Sequence, residues 1–367
     1  MIAVRVVASS LTSFRALLRS PGENAPRERR GIWLSLADSE GNVGFGEAAP
    51  LPGYSPDDLG SCEIALKAVH ERLGPLTGPS AKVAVMGALT PLSLGSLPAA
   101  RFALETALLD LWAKRRGLSI AESLGGPRPY TQVRVNGLLE APQTPGELVL
   151  RAGYLVGRGF RTLKVKLRAT GTADFEAELN ALSRLRAELP PSIELRLDPN
   201  GAYLLPDARD RLRRLAPLRP AYVEQPVPPS ELLRLGPCAV PWAADESLQD
   251  PASADRLLDA KGCAAFVLKP AVLGLLRAFD LARRAQERGL GVVVTHLFDG
   301  PVGHAAACEL ALALPREPLA CGLDRAFDDP TSRAFVPRLE VPHLAREGLV
   351  IAPGHAGHGV SIPAPTP

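Results

Sequence analysis

The chain has 367 residues, of which 46% are hydrophobic and 22% charged, the balance of a globular protein with ample core and room for two domains or a barrel with an addition. The 42 Lys and Arg exceed the 39 Asp and Glu by three, too small an excess for a dedicated nucleic-acid or membrane-surface binder. Five cysteines without CxxC spacing argue against a zinc site or a disulfide framework. With no secretory leader and no apolar run long enough to span a membrane, a cytoplasmic location is expected.

The first hundred residues carry strand-like runs at 2–8, 32–37 and 43–46, separated by the turn-rich segments PGENAPRERRG and SEGN. A helix is expected around 57–74, and a second over 98–116 with Pro98 near its start and Gly117 just past its end. This is an α+β region with a short antiparallel sheet. LGGP at 124–127 reads as a helix-ending turn rather than a phosphate loop.

From about residue 131 the pattern changes. Short apolar runs recur as QVRVNGL (132–138), RTLKVKL (161–167), IELRLD (193–198), AYVE (221–224), VPWAAD (240–245), AAFVLK (264–269), GVVVTH (291–296) and PLACGL (318–323). Amphipathic stretches fill most gaps between them. Strand and helix alternating at this interval mean βαβ units and a parallel sheet; eight units close as a (β/α)8 barrel, with the doubly wound sheet as the rival. The expected fold is therefore α/β, a (β/α)8-type barrel over 129–325. An α+β capping domain is built from 1–128 and from a C-terminal return over 326–367. The end of that return, GLVIAPGHAGHGVSIP, reads as a hairpin, a poor frame for His355 and His358 as metal ligands.

Only seven of the 42 cations are Lys, so each Lys invites a reason; unlike Arg, a buried Lys can shift its pKa and act as a base. Residues two apart on a strand share a face, which puts Thr162, Lys164 and Lys166 together and likewise Glu194, Arg196 and Asp198. An exposed strand alternates in the same way, but strands of a helix-covered barrel are buried on both faces, and charge inside must be paired or functional. Lys166, Asp198, Glu224, Asp245 and Lys269 then stand at the carboxyl ends of successive strands, one βα unit apart. That rim is where barrel enzymes place their active sites.

Asp198, Glu224 and Asp245 form an oxygen-only donor set for a hard cation, Mg2+ before any other, with Mn2+ as a substitute. The plainer alternative is that these acids only pair with Lys and Arg. A cation between Lys164 and Lys166 on one side and Lys269 on the other would disfavour lysine protonation. It would thereby prepare a base for a proton α to a carboxylate. Asn200, Gln225 and Glu246 stand beside the ligands as supporting polar groups, and Arg196 is an inward candidate for positioning substrate. Loops at Pro21–Arg30 and Pro50–Pro56 are expected to fold over the mouth. Tyr54 there is either a stacking residue or an exposed turn tyrosine. His296 is either a lining or a structural histidine, and Asp299 a supporting or helix-capping group.

LKVKL, RLDPNGAY, YVEQP, ADES and LKPAVLG, in that order, resemble the enolase superfamily and within it the muconate-lactonising branch. Enolase-superfamily sites are a well-known case of a Lys or His base acting beside Mg2+, with the metal stabilising an enediolate. GFGEAAPLPGYSPD, ALLDLWAKRRG and SLGGP extend the likeness to the capping region, so it covers nearly the whole chain. GEAAPLPGYS and THLFDGPVG look most like the branch's o-succinylbenzoate synthase group, carbon–oxygen lyases of menaquinone biosynthesis. That resemblance implies a small-molecule carboxylate substrate, Lys166 as base, and Lys269 as a cationic stabiliser of the enediolate. The chain departs from the pattern where Gly274 is followed by Leu275 instead of a second Gly, and where His296 and Leu297 replace small hydroxyl residues. Rivals within the superfamily are N-acylamino-acid racemases and dipeptide epimerases. Outside it stand a Schiff-base aldolase and a binding protein on a degenerate barrel. An oligomer is compatible with all of them.

Overall fold

A computed structural model describes residues 4–18, 27–125, 130–140, 144–168, 171–324, 341–343 and 345–362. Parts of the loop at 21–30, of the turn at 124–127 and of the return over 326–367 lie outside the described residues.

The N-terminal region is an antiparallel sheet of β1 (Val6–Leu18), β2 (Arg27–Asp38) and β3 (Val43–Ala48). Against it pack α1 (Leu59–Leu66) and α3 (Pro98–Lys114), and on α3 in turn pack α2 (Ala81–Leu89) and α4 (Ile120–Gly125). Strands 1 and 2 are longer than the apolar runs implied, because backbone pairing continues from Ser9–Leu18 to Arg27–Leu36, over polar residues that carry no apolar signal. The helix expected over 57–74 ends at Leu66, since Ala68 turns into the left-handed region at φ 48° and a 3-10 turn follows. Helix α3 is buried along nearly its whole length. Gly44 and Gly46 let β3 lie directly on it: a Cβ at either would stand 2.1 Å from the Ala107 carbonyl or 1.9 Å from that of Ala103.

The second region runs β4 (Gln132–Arg134), β5 (Gly137–Leu139), α5 (Pro145–Gly157), β6 (Thr162–Lys166), α6 (Thr172–Glu188), β7 (Glu194–Asp198) and α7 (Leu205–Leu215). It continues through β8 (Tyr222–Glu224), α8 (Leu232–Leu235), β9 (Trp242–Ala244), α9 (Pro251–Leu257), β10 (Cys263–Leu268), α10 (Pro270–Leu273), α11 (Leu275–Glu287), β11 (Gly291–Val294) and α12 (Pro301–Leu312). Part of the high proline content sits at helix starts: α3, α5, α7, α9, α10 and α12 carry Pro at their first or second position, where the missing N–H breaks no helical bond.

Strands β5 to β11 form one parallel sheet in chain order. Its two edges are joined by residues 321 and 322. Gly322 bridges Thr295 after β11, and Cys321 bridges Val135 before β5, both in parallel sense. The eighth run, PLACGL, thus closes the barrel through bridges instead of a full strand, and a doubly wound sheet is excluded. The first run also divides at Asn136. β5 joins the barrel, while β4 pairs antiparallel with β12 (Leu349–Ile351). Strand β12 therefore pairs with β4 and not with the residues after it, so the expected terminal hairpin gives way to a strand added beside the barrel entry.

The tail also reaches the first region. The backbone N–H of His358 donates to Asp110 at 3.0 Å, and its ring Nε2 lies 3.0 Å from the Phe45 carbonyl. His358 is buried there while His355 is exposed. A continuous apolar core runs from Leu34 and Leu36 through α3 to the outer face of the barrel. Tyr222, Ala243, Ala265, Val267 and Val293 fill the barrel interior. No helix among the described residues is long and apolar enough to cross a membrane.

Candidate active site

In-register pairing sets the depth of each charged residue. Lys164 stands opposite Arg196 and Lys166 opposite Asp198, while Glu224 ends β8, and Asp245 and Lys269 immediately follow β9 and β10. All five rim residues meet at the carboxyl-terminal mouth, around a cavity of about 490 Å3 that Lys164, Lys166, Glu224 and Lys269 line. Lys164 Nζ lies 2.8 Å from Asp198 Oδ2 and 2.6 Å from Glu224 Oε1. Lys166 Nζ lies 2.9 Å from the same Asp198 oxygen and donates to Asn200 Oδ1 at 2.7 Å. Across the cavity Lys269 pairs with Asp245 and donates to the Tyr54 hydroxyl at 2.7 Å; that hydroxyl donates in turn to Asp245 Oδ1 at 3.3 Å.

The supporting groups are equally definite. The Asn200 N–H donates to Asp198 at 3.0 Å and its Nδ2 to Glu246 Oε1 at 3.2 Å, from a backbone held at φ 49°. Gln225, fully buried, receives the backbone N–H groups of Asp245 and Ser247 at 3.1 and 3.2 Å and so ties the ends of β8 and β9 together. Tyr54 is a ring packed beside Lys269, with the ammonium 4.7 Å from its centroid, and not an exposed turn residue. His296 lines the cavity, and its Nδ1 accepts the Phe298 N–H at 3.0 Å. Asp299 accepts the Leu297 N–H at 2.9 Å and shapes the loop after β11.

Arg196 does not reach the mouth. Its Nε donates to Glu194 at 2.7 Å, and a terminal nitrogen to the Ala320 carbonyl at 2.6 Å. It lies under the Tyr222 ring and outside the cavity lining. It is a buried floor of the barrel, because its long side chain turns toward the amino-terminal end of the strand. Conversely, Asp324 lines the cavity and has no place among the candidates read from the sequence. It is the first ionisable residue after the eighth apolar run, so the strand-end logic that found the other acids applies to it as well.

The electrostatics are those of acids crowded in a dry place. Burial and the neighbouring Asp198 charge push Glu224 up to about 8. Burial also opposes Asp198, yet Lys164 and Lys166 outweigh it and hold that carboxyl below the usual range. Burial depresses Lys164 and Lys269, but the acids facing them win and both lie above the ordinary lysine value. Each of these two ammonium groups sits on carboxylate oxygens, and for Lys269 this agrees with the cationic role that the resemblance implies.

Among the described residues no group of three His, Cys, Asp or Glu is already arranged as a metal polyhedron. The donor chemistry nevertheless fits a hard cation. Three buried carboxylates surround the mouth, two of them share the single positive charge of Lys164, and Asp245 acts on that same charge. A divalent ion would take oxygens that the lysines now hold.

A closed parallel barrel with acids and amines alternating around its carboxyl-terminal mouth, beneath a packed α+β region, is the architecture of a barrel enzyme with a cap. The family model described as enolase C-terminal domain-like matches residues 147–365, and the chain belongs to the enolase superfamily. It is 33% identical over 308 residues to L-Lys-D/L-Arg epimerase of Methylococcus capsulatus, covering 80% of this chain and 82% of that protein. To o-succinylbenzoate synthase of Thermosynechococcus vestitus it is 32% identical over 313 residues, with 82% and 86% covered. Against the chloroplast protein PHYLLO of Arabidopsis thaliana it is 28% identical over 327 residues and spans 19% of that protein's length. The solved dipeptide epimerase from Methylococcus capsulatus, complexed with Mg ion, superposes with a TM-score of 0.80 at 26% identity, covering 99% of this chain and all of the other.

Proposed function

We propose that the chain is a Mg2+-dependent o-succinylbenzoate synthase that dehydrates 2-succinyl-6-hydroxy-2,4-cyclohexadiene-1-carboxylate. The observation that carries this reading is the placement of Lys164 and Lys166 on one side, and Lys269 on the other, of three buried acids around a single cavity. In this reading residues 129–325 form the barrel that bears the site, and 1–128 with 326–367 the cap that closes it.

Asp198, Glu224 and Asp245 hold the metal. When bound, it offsets the negative charge that gathers on the substrate carboxylate as the α-proton leaves. Lys166 removes that proton; Lys269, kept cationic by Asp245, faces the enediolate beside Tyr54. Lys166 then returns the proton to the departing hydroxide on the same face, so the products are water and the aromatic succinylbenzoate. Lys164, bridging Asp198 and Glu224, keeps the acids ordered. The apolar walls supplied by Leu51, Leu138, Val267 and Phe298 suit a ring substrate.

A second reading, epimerisation of a dipeptide, is favoured by one observation: Asp324 offers a partly buried carboxylate to a substrate ammonium. Both start with the same proton transfer. Incubation with the cyclohexadiene substrate and Mg2+ should yield the aromatic product by its ultraviolet absorbance. Deuterium entering the α-position of recovered dipeptides in D2O, with no dehydration, would replace the first reading by the second.

A further inference from the structure

Arg29 lies on β2, far from the barrel strands in sequence, yet the residue is only 3% exposed. It faces four carbonyl oxygens. Nη1 donates to Pro50 at 2.7 Å and Nη2 to Ala49, while Nε donates to Phe298 at 3.1 Å and Nη2 also to Leu297 at 3.3 Å. Two of these carbonyls belong to the capping loop and two to the loop after β11. Each loop then supplies side chains to the cavity within a few residues: Leu51 and Tyr54 from one, Leu297 and Phe298 from the other.

Both loops are shaped to transmit the grip. Directly after Pro50 the chain closes a tight turn, with Leu51 N–H donating to Ser55 Oγ at 2.9 Å and Tyr54 N–H to the Leu51 carbonyl at 3.0 Å. Tyr54 in turn touches Lys269 and Asp245. On the other side Phe298 holds φ 54°, a left-handed conformation that an aromatic residue rarely adopts and that its surroundings must impose. Its carbonyl receives Arg29 Nε and its N–H donates to His296, so both polar groups of this residue are fixed.

We infer that Arg29 is a positioning residue for substrate specificity: it fastens the Tyr54 loop and the Phe298 loop into one wall that grips the part of the substrate remote from the reacting carbon. The inference rests on the proposed reading for the location of the reacting carbon, not for the fastening itself. A lysine cannot replace it, because one ammonium does not span four carbonyls in a planar fork.

The test compares Arg29→Lys with the wild type in two ways. In steady-state assays on the substrates above, the KM should rise about tenfold while kcat and its pH profile hold within about threefold, since ground-state grip is lost and proton transfer is kept. An unchanged KM with a reduced kcat is the result of a merely structural role and overturns the inference. In hydrogen exchange without substrate, residues 49–55 and 296–300 should quicken together while the β6 to β10 strands stay protected. Quickening of one loop alone, or of neither, overturns it too. If the wild type turns over none of the substrates, the functional reading fails and the exchange result alone decides the fastening. Should Arg29→Lys not fold, Phe298→Gly, which tolerates the left-handed backbone, should raise KM to a similar degree, and an unchanged KM counts against the proposal.

Discussion

The barrel mouth and the seam with the cap both bury charge, and they satisfy it differently. At the mouth, Lys164, Lys166 and Lys269 face Asp198, Glu224 and Asp245, charge against charge, around a cavity. At the seam, Arg29 faces backbone carbonyls, and Glu47 receives the backbone N–H groups of Gly300 at 2.5 Å and Val302 at 3.2 Å together with the Trp33 indole at 3.2 Å. Peptide groups cannot leave, so the seam is permanent. Carboxylates paired with amines can exchange those partners for a metal ion and a substrate, so the mouth is chemical. Burial alone does not distinguish the two; the nature of the partner does.

That contrast can be broken by experiment, beginning where the effect is greatest. Exhaustive chelation should abolish turnover and readdition of Mg2+ should restore it, with the melting curve of the seam-built fold little changed; full activity after chelation would remove the cation from the mouth. Lys166→Ala should lower kcat by on the order of 10³ while leaving the circular dichroism spectrum intact, as loss of a general base predicts. Comparable activity in that variant would pass the base role to another group.

The seam responds to pH through stability instead. Burial, followed by the charge of Asp299, raises Glu47 to about 7 from 4.5. A folded-state pKa above the unfolded one means the folded form holds its proton more tightly. The resulting stabilisation is complete below pH 4.5, declines as pH rises and is gone above pH 7. The difference is about 3 kcal/mol by linkage. Urea unfolding of wild type and Glu47→Gln at pH 5 and pH 8 should show this slope in the wild type and lose it in the variant. The smallest effect expected is that of Tyr54→Phe. It removes one hydroxyl between Lys269 and Asp245 and should cost kcat/KM about fivefold, near the net worth of a hydrogen bond.

How much of this can be read from the sequence follows the same division. The mouth is legible because βαβ units repeat, and a charge at the end of each apolar run falls on one rim by geometry. The lysines are legible also through their rarity. Alternation along a strand reports inside or outside, however, and not whether a long side chain climbs or descends the barrel. Arg196, facing inward as expected, therefore turns to Glu194 and the floor. Lys164 and Lys269 both lie above the ordinary lysine value because the amines lie on the acids themselves, and only coordinates give that distance. The seam is not legible at all. Arg29 and Glu47 act on backbone atoms some 250 positions away, and backbone groups carry no signature in the letters of a chain. The division of the first run at Asn136 is hidden for a related reason: one apolar run serves two sheets.

The closure of the barrel has a further consequence. The last stave is bonded to β11 and to the start of β5 through Leu319, Cys321 and Gly322, and there a Cβ on Gly322 would stand 2.3 Å from Thr295 Oγ1. Gly322 and Asp324 border the cavity at that point. Thr295 borders it too, so any bulk grafted onto Gly322 would press on Thr295 and narrow the room left for whatever molecule lies within.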